Sequence, residues 1–171
     1  PDAIDAMLAR AVAAQPDWNA RGGPARATLL ERAATLFETH RSEFLSLCIR
    51  EAGKTLPDAV LEWREAVDFL NYYAGEARAQ FGAPMQLPGP TGEENRLRLA
   101  GRGVFVTISP WNFPLSIFTG MTAAALAAGN AVIAKPAEQT PLIAALSVRL
   151  LHEAGVPADV LQLAPGDGRV G

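Results

Sequence analysis

Three short apolar runs constrain this chain more than any other feature: Val104–Ile108, 131–134 and 160–163 alternate with two Ala- and Leu-rich stretches long enough to be helices. Apolar runs bounded by turn residues read as strands, 131–134 as a buried parallel one, and strands joined through a single helix run parallel. The order β-α-β-α-β is half of a doubly wound, Rossmann-like sheet. Every strand of such a sheet ends on the same side, and ligands lie in the crevice above those ends. That edge collects Asn112 after the first run, Lys135 and Glu138 after the second, and Gly166 and Gly168 after the third.

The stretch before Val104 is helical in pattern. Ile4, Met7, Leu8, Ala11 and Val12 recur at one-face spacing and predict a helix over 2–14, followed by a turn-rich break over 16–23 in which Trp18 is a packing anchor. Pro24 suits the first turn of a second helix burying Leu29, Ala33, Leu36 and Phe37. Ser42 suits the N-cap of a third, with Gly53 its stop and Phe44, Leu45, Cys48 and Ile49 turned inward. Pro57 opens the longest helix, where Val60, Trp63, Val67, Leu70, Ala74, Ala77 and Phe81 form one stripe. Glu62, Glu65 and Asp68 then fall, in the plainest reading, on its solvated side. Crowded prolines and glycines over 82–92, and the alternating Arg96 to Leu99, predict a β-hairpin arm. The expected organisation is α/β: N-terminal helices over 1–81, a hairpin over 82–103, and the start of the parallel core over 104–171.

Composition narrows the partners. The 171 residues carry a formal charge of −3, with both signs mixed along the chain, so no basic footprint for nucleic acid exists and a small-molecule partner is expected. Cys48 is the one cysteine, which excludes an intramolecular disulfide and a multi-cysteine metal site and fits a reducing, cytoplasmic setting. His40 and His152 are isolated near helix ends, where the helix dipole explains them, and no metal ligand is assigned. The chain opens at Pro1 rather than Met, and its last strand is followed by a Gly-rich loop with no closing helix, so it reads as a piece of a longer protein.

The crevice residues carry two readings each. The Gly-x-Gly-x-x-Gly of a standard dinucleotide grip is absent after the first strand, where Pro110-Trp111-Asn112-Phe113-Pro114 stands instead. Lys135 and Glu138 suit ribose hydroxyls, with Gly166 and Gly168 allowing close backbone approach; they read equally as a solvated loop pair and a turn. Asn112 is either an ordinary turn residue or, held between two prolines, an amide donor aimed at developing negative charge.

Taken together, Ser109-Pro110-Trp111-Asn112-Phe113-Pro114, Ala127-Ala128-Gly129-Asn130-Ala131-Val132 and Lys135-Pro136-Ala137-Glu138 resemble, in order and spacing, the aldehyde dehydrogenase superfamily. The finer resemblance is to the L-glutamate-γ-semialdehyde (1-pyrroline-5-carboxylate) dehydrogenase domains of bifunctional proline utilization proteins. It is carried by Arg50-Glu51-Ala52-Gly53-Lys54-Thr55-Leu56-Pro57-Asp58-Ala59, Phe118-Thr119-Gly120 and Gln139-Thr140-Pro141-Leu142-Ile143-Ala144-Ala145, and the similarity covers essentially the whole chain.

The resemblance implies that the Asn112 amide forms part of an oxyanion hole over the thiohemiacetal made by a cysteine thiolate. It implies NAD as cofactor, with Ile108, Ser109, Pro110 and Trp111 as a wall beside it, Lys135 and Glu138 on its ribose, and Gly166 and Gly168 on the adenine side. Glu138 as an acceptor favours a free 2′-hydroxyl, hence NAD over NADP. Phe113 is similar to a substrate-tunnel aromatic, and Glu65 falls at the substrate entrance, where a carboxylate meets the amino group of glutamate semialdehyde; a solvated helix residue is its other reading. The hairpin resembles the flap through which family members form homo-oligomers, and a proline dehydrogenase domain in the same parent chain is a further expectation. The family's nucleophilic cysteine, general-base glutamate and substrate-carboxylate anchor are expected beyond Gly171, since Cys48 has a different local motif, so residues 1–171 alone are expected to be silent. An aldehyde dehydrogenase for another small semialdehyde, or an inactive superfamily domain kept for assembly, are the alternatives.

Overall fold

The structure, a computed structural model, describes residues 2–170. Four helices come first: α1 (Asp2–Ala20), α2 (Gly23–Thr39), α3 (Arg41–Arg50) and α4 (Leu56–Phe81). A hairpin of β1 (Met85–Leu87) and β2 (Asn95–Leu97) follows, and then β3 (Val104–Ile108), α5 (Ser116–Ala127), β4 (Ala131–Lys135), α6 (Pro141–Ala154) and β5 (Leu161–Leu163). The last three strands form one parallel sheet in the order β3-β4-β5, with Ile108 beside Lys135 and Ala134 beside Leu163. This is the half of a doubly wound sheet that the apolar runs predict.

The central strand shows why the sheet needs cover on both sides. All five residues of β4 are buried, and the first four alternate between two clusters. Val132 and Ala134 join the main core with Phe37, Leu126, Ile143 and Leu150, whereas Ala131 and Ile133 meet Ala11, Ile4 and Met7 of α1. The period of two along a strand thus sends alternate side chains to opposite layers. One layer is α1; the other is α5 and α6, with α2 packed on both of them and α4 laid across α2 and α5. Because the strand order moves one way, both crossover helices fall on the same face.

Helix α1 is longer than its sequence signals predict. It runs through Pro16, and the expected break over 16–23 shrinks to the short link around Gly22. A proline inside a helix removes one amide donor and clashes with the preceding turn. Contacts from the same segment to the far end of α5 hold it: Gln15 Nε2 donates to the Gly129 carbonyl at 2.9 Å and Trp18 Nε1 to that of Leu126 at 3.1 Å. Trp18 is buried as its anchoring role requires, but Leu8 and Val12 lie off the buried stripe, 44 % and 57 % exposed. Ile49 of α3 is likewise exposed. Ser42 falls inside α3 rather than capping it, since the cap is His40.

Arg26 joins α1, α2 and α5. Its side chain is buried, with Nε donating to the Ala127 carbonyl at 3.0 Å and Nη1 to the Asn19 carbonyl at 2.9 Å. Burial pushes its pKa down, yet a guanidinium stays charged, and here the carbonyl ends of two helices offer negative dipole ends to it. Gly129 lies against it at φ 91°; a Cβ there would stand 2.6 Å from Asn19 Oδ1 and 3.2 Å from the guanidinium carbon, so backbone conformation and space both exclude a side chain.

Replacing Arg26 by Met would orphan these carbonyls and is expected to lower the free energy of unfolding by about 3 kcal/mol, measured by urea denaturation. A change below roughly 1 kcal/mol would show that the buried cation is dispensable. Cys48 gives a second check. It is wholly buried, and burial, followed by the charge of Glu62, pushes its pKa up to about 12. Its folded pKa lies above the unfolded value, so the neutral thiol is the native form and its contribution to stability fades only as pH climbs through the alkaline range. Iodoacetamide at neutral pH is expected to leave Cys48 unmodified until denaturant is added.

Candidate active site

The site is built on the level ends of the three parallel strands. Backbone bonds carry the pairing just past the strands: Ser109 N donates to the Lys135 carbonyl at 3.1 Å and Ala164 N to that of Ala134 at 2.8 Å. The loops after β3, β4 and β5 therefore start at one height, and the candidate residues from all three share that edge. Ile108 and Trp111 are exposed there, Ser109 is buried and Pro110 is half-buried. Asn112 and Phe113 are exposed, immediately before buried Pro114 and Leu115.

Lys135 and Glu138 occupy the second loop as a pair of unequal exposure. The lysine is buried, with Nζ donating to the Pro136 carbonyl at 3.3 Å and lying 4.0 Å from Glu138 Oε2, while Glu138 faces solvent. A buried ammonium beside an exposed carboxylate is a donor and an acceptor held within reach of one another, the set that vicinal hydroxyls of a ribose require. Gly166, in the third loop, has φ 157°, and a Cβ there would stand 2.5 Å from Val170 Cγ2. Gly168 is exposed beside it. Asp167, between them, is held below the usual carboxylate range by hydrogen bonds from Arg169. The missing side chain at Gly166 makes room for Val170, whereas Gly168 has open space around it where backbone can be approached, and with the lysine–carboxylate pair this loop fits a dinucleotide. Among the described residues, no cluster of three or more His, Cys, Asp and Glu could hold a metal ion, and no helix is long and apolar enough to cross a membrane.

Phe113, the chain neighbour of Asn112, lines a cleft of about 620 Å³ with Lys54, Asp58, Leu61, Glu62 and Glu65. Glu65 and Phe113, which the residue pattern places on separate elements, meet at this cleft. Glu65 also borders a more apolar groove of about 370 Å³ with Phe69, Tyr73, Ile117 and Met121. Thr55 opens α4 on one side, its Oγ1 accepting from Asp58 N at 3.3 Å and donating to the Asp58 carboxylate at 2.7 Å.

Glu62 is the residue that the helical stripe misassigns. It is not on the solvated side of α4 but 2 % exposed. Its Oε1 accepts from Leu115 N at 2.7 Å and Ser116 N at 3.3 Å, and its Oε2 lies 2.6 Å from Lys54 Nζ. That ammonium stands 4.1 Å from the centre of the Phe113 ring. The start of α5 has no capping side chain of its own, so Glu62 satisfies amides that would otherwise be orphans. The same device recurs at α6. Thr140 is at the N-cap but makes no capping bond; Glu51 supplies it, accepting from Leu142 N at 2.8 Å and Ile143 N at 2.9 Å.

Comparison with known proteins agrees with the fold. The chain is 50 % identical over 168 residues to the bifunctional protein PutA of Escherichia coli K12, covering 98 % of this chain and 12 % of that protein. It is 41 % identical over 168 residues to the 1-pyrroline-5-carboxylate dehydrogenase of Anoxybacillus flavithermus, covering 98 % of this chain and 32 % of that enzyme. A crystal structure of proline utilization A from Bradyrhizobium japonicum superposes with a TM-score of 0.97 at 55 % identity, over 99 % of this chain and 18 % of that one. A Thermus 1-pyrroline-5-carboxylate dehydrogenase with bound NAD superposes with a TM-score of 0.92 at 36 % identity, over 96 % of this chain and 32 % of that one. The chain thus spans less than a third of the length of each of these relatives. The aldehyde dehydrogenase family pattern matches residues 1–171, and the chain belongs to that family.

Proposed function

We propose that this chain is part of an NAD-dependent dehydrogenase that oxidises L-glutamate-γ-semialdehyde to glutamate in proline catabolism. The observation that carries the reading is the meeting of Phe113, next to Asn112 in the chain, with Glu65 at one cleft. The PutA and 1-pyrroline-5-carboxylate dehydrogenase relatives support the substrate class, and the NAD bound to the Thermus neighbour supports the cofactor.

In this reading the chain binds and orients, and the nucleophile, general base and substrate-carboxylate anchor come from the rest of the protein. Cys48 is unsuited to attack because it is buried and protonated at neutral pH. As a thiolate adds to the aldehyde carbon, the carbonyl oxygen gains negative charge, and the Asn112 amide donates a hydrogen bond to it. Phe113 walls the aldehyde, and the Glu65 carboxylate takes the substrate's ammonium. Lys135 and Glu138 hold the ribose, Ile108, Ser109, Pro110 and Trp111 flank the cofactor, and Gly166 and Gly168 admit its adenine end. NAD bound there supplies the hydride acceptor. The hairpin, whose Met85, Leu87 and Leu97 are exposed, is the surface through which we expect copies to associate, since a two-stranded ribbon gains little stability alone. A single free cysteine suits a cytoplasmic setting, and a proline dehydrogenase domain in the same chain would follow the PutA relatives.

In the whole enzyme, Asn112→Ala is expected to reduce kcat by roughly a hundredfold or more with KM little changed, read from NADH formation. An unchanged kcat sinks the oxyanion role. For Glu65→Gln, the KM for glutamate semialdehyde should rise about tenfold while kcat stays within about twofold, the pattern of a lost ground-state contact. A KM equal to that of the parent enzyme returns Glu65 to the solvated face of α4.

A further inference from the structure

The ion pair of half-buried Lys54 with buried Glu62 is not accounted for by substrate or cofactor binding. A carboxylate this deeply buried is costly to keep ionised unless paired and hydrogen-bonded, and here both conditions hold at one spot. Oε1 takes the first amides of α5, Leu115 N at 2.7 Å and Ser116 N at 3.3 Å, and Oε2 takes the Lys54 ammonium at 2.6 Å. The chain between these amides and Asn112 is only Phe113 and Pro114. Phe113 is tied to the same framework twice: its ring lies over Lys54 Nζ at 4.1 Å, and its carbonyl accepts from Ile117 N at 3.3 Å. Asn112 itself is exposed. The loop that presents it is therefore anchored immediately downstream by one carboxylate and one ammonium from α4 and the segment before it.

We propose that Glu62, braced by Lys54, is a positioning residue for Asn112: it fixes the start of α5 and the Phe113 ring so that the Asn112 amide is aimed before the aldehyde arrives. The proposal rests on the oxyanion reading of Asn112. Its physical basis is preorganisation, since a donor that must be reoriented during the reaction loses much of its effect, and a displacement of about 1 Å can cost on the order of a hundredfold in rate. Lys54 is suited to the task as a compact charge that can serve a carboxylate and an aromatic face at once. With Oε1 held by two amides and Oε2 paired with Lys54, Glu62 is not free to meet the substrate's ammonium, which leaves Glu65 and Asp58 as the exposed carboxylates of the cleft.

A double-mutant cycle in the whole enzyme tests this. Glu62→Gln keeps the shape and one acceptor oxygen but releases Lys54. Introduced into the parent enzyme, it should lower kcat about tenfold and leave the KM for NAD within about twofold. Introduced beside Asn112→Ala, it should change kcat by less than about twofold, because the group it aims is already gone. A purely structural role would lower activity equally in both backgrounds, and that result, or an unchanged kcat in the parent background, overturns the proposal. If Asn112→Ala alone costs nothing, the oxyanion reading falls and takes this one with it, a failure distinct from the additive one. Should Glu62→Gln not fold, Lys54→Arg retains the charge but changes its seat against Phe113. It should lower kcat about threefold with Asn112 present and not with Asn112→Ala, and an equal effect in both is again fatal.

Discussion

Helix α5 is gripped at both ends by charges from the helices that precede the sheet. The Glu62 carboxylate takes the amides at its start, and the Arg26 guanidinium takes a carbonyl at its end. Each charge has the sign that the helix dipole favours at that terminus. Helix α6 repeats the first half of the arrangement with Glu51. The sheet half of this chain is therefore joined to the helical half by more than apolar packing. Its helix starts are completed by side chains belonging to the other layer, and those starts adjoin the loops that carry the candidate chemistry.

That arrangement explains which parts of the fold could be read from residue order. Strands β3, β4 and β5 follow from short apolar runs bounded by Gly and Pro, and α5 and α6 from composition and stop signals, because these are local effects. Thr140 before Pro141 is by residue type a local capping signal for α6, as Ser42 is for α3, yet neither caps its helix. The actual partner of α6, Glu51, is 91 residues away, and no pattern of short range announces it. Pro16 fails as a helix breaker because Gln15 and Trp18 fasten that turn to α5, a tertiary contact overriding a local preference.

Glu62 was misread for a more instructive reason. A stripe drawn through the large residues Val60, Trp63, Val67 and Leu70 leaves position 62 at its margin. The buried arc of α4 also includes Ala59, Ala66 and Ala77, and Glu62 lies one turn from Ala59 and one from Ala66. Small residues mark the part of a helix where another backbone comes close, so a carboxylate among them was a detectable signal of a satisfied buried charge. The level edge holding Lys135, Glu138, Gly166 and Gly168 was legible in the alternation of strands and helices. The cleft joining Glu65 to Phe113 was not, because it depends on how α4 crosses the start of α5.

The long reach of the capping contacts also governs how the molecule comes apart. The bonds from Leu115 and Leu142 close loops of 53 and 91 residues, so neither sheet helix can be completed by folding of its own neighbourhood. Non-local closure of this kind slows assembly and ties distant segments into one cooperative unit. Local opening at the start of α5 therefore requires undocking of α4, and thermal fluctuations that loosen the Asn112 loop are suppressed by the stability of the whole helical layer rather than by that of a single turn.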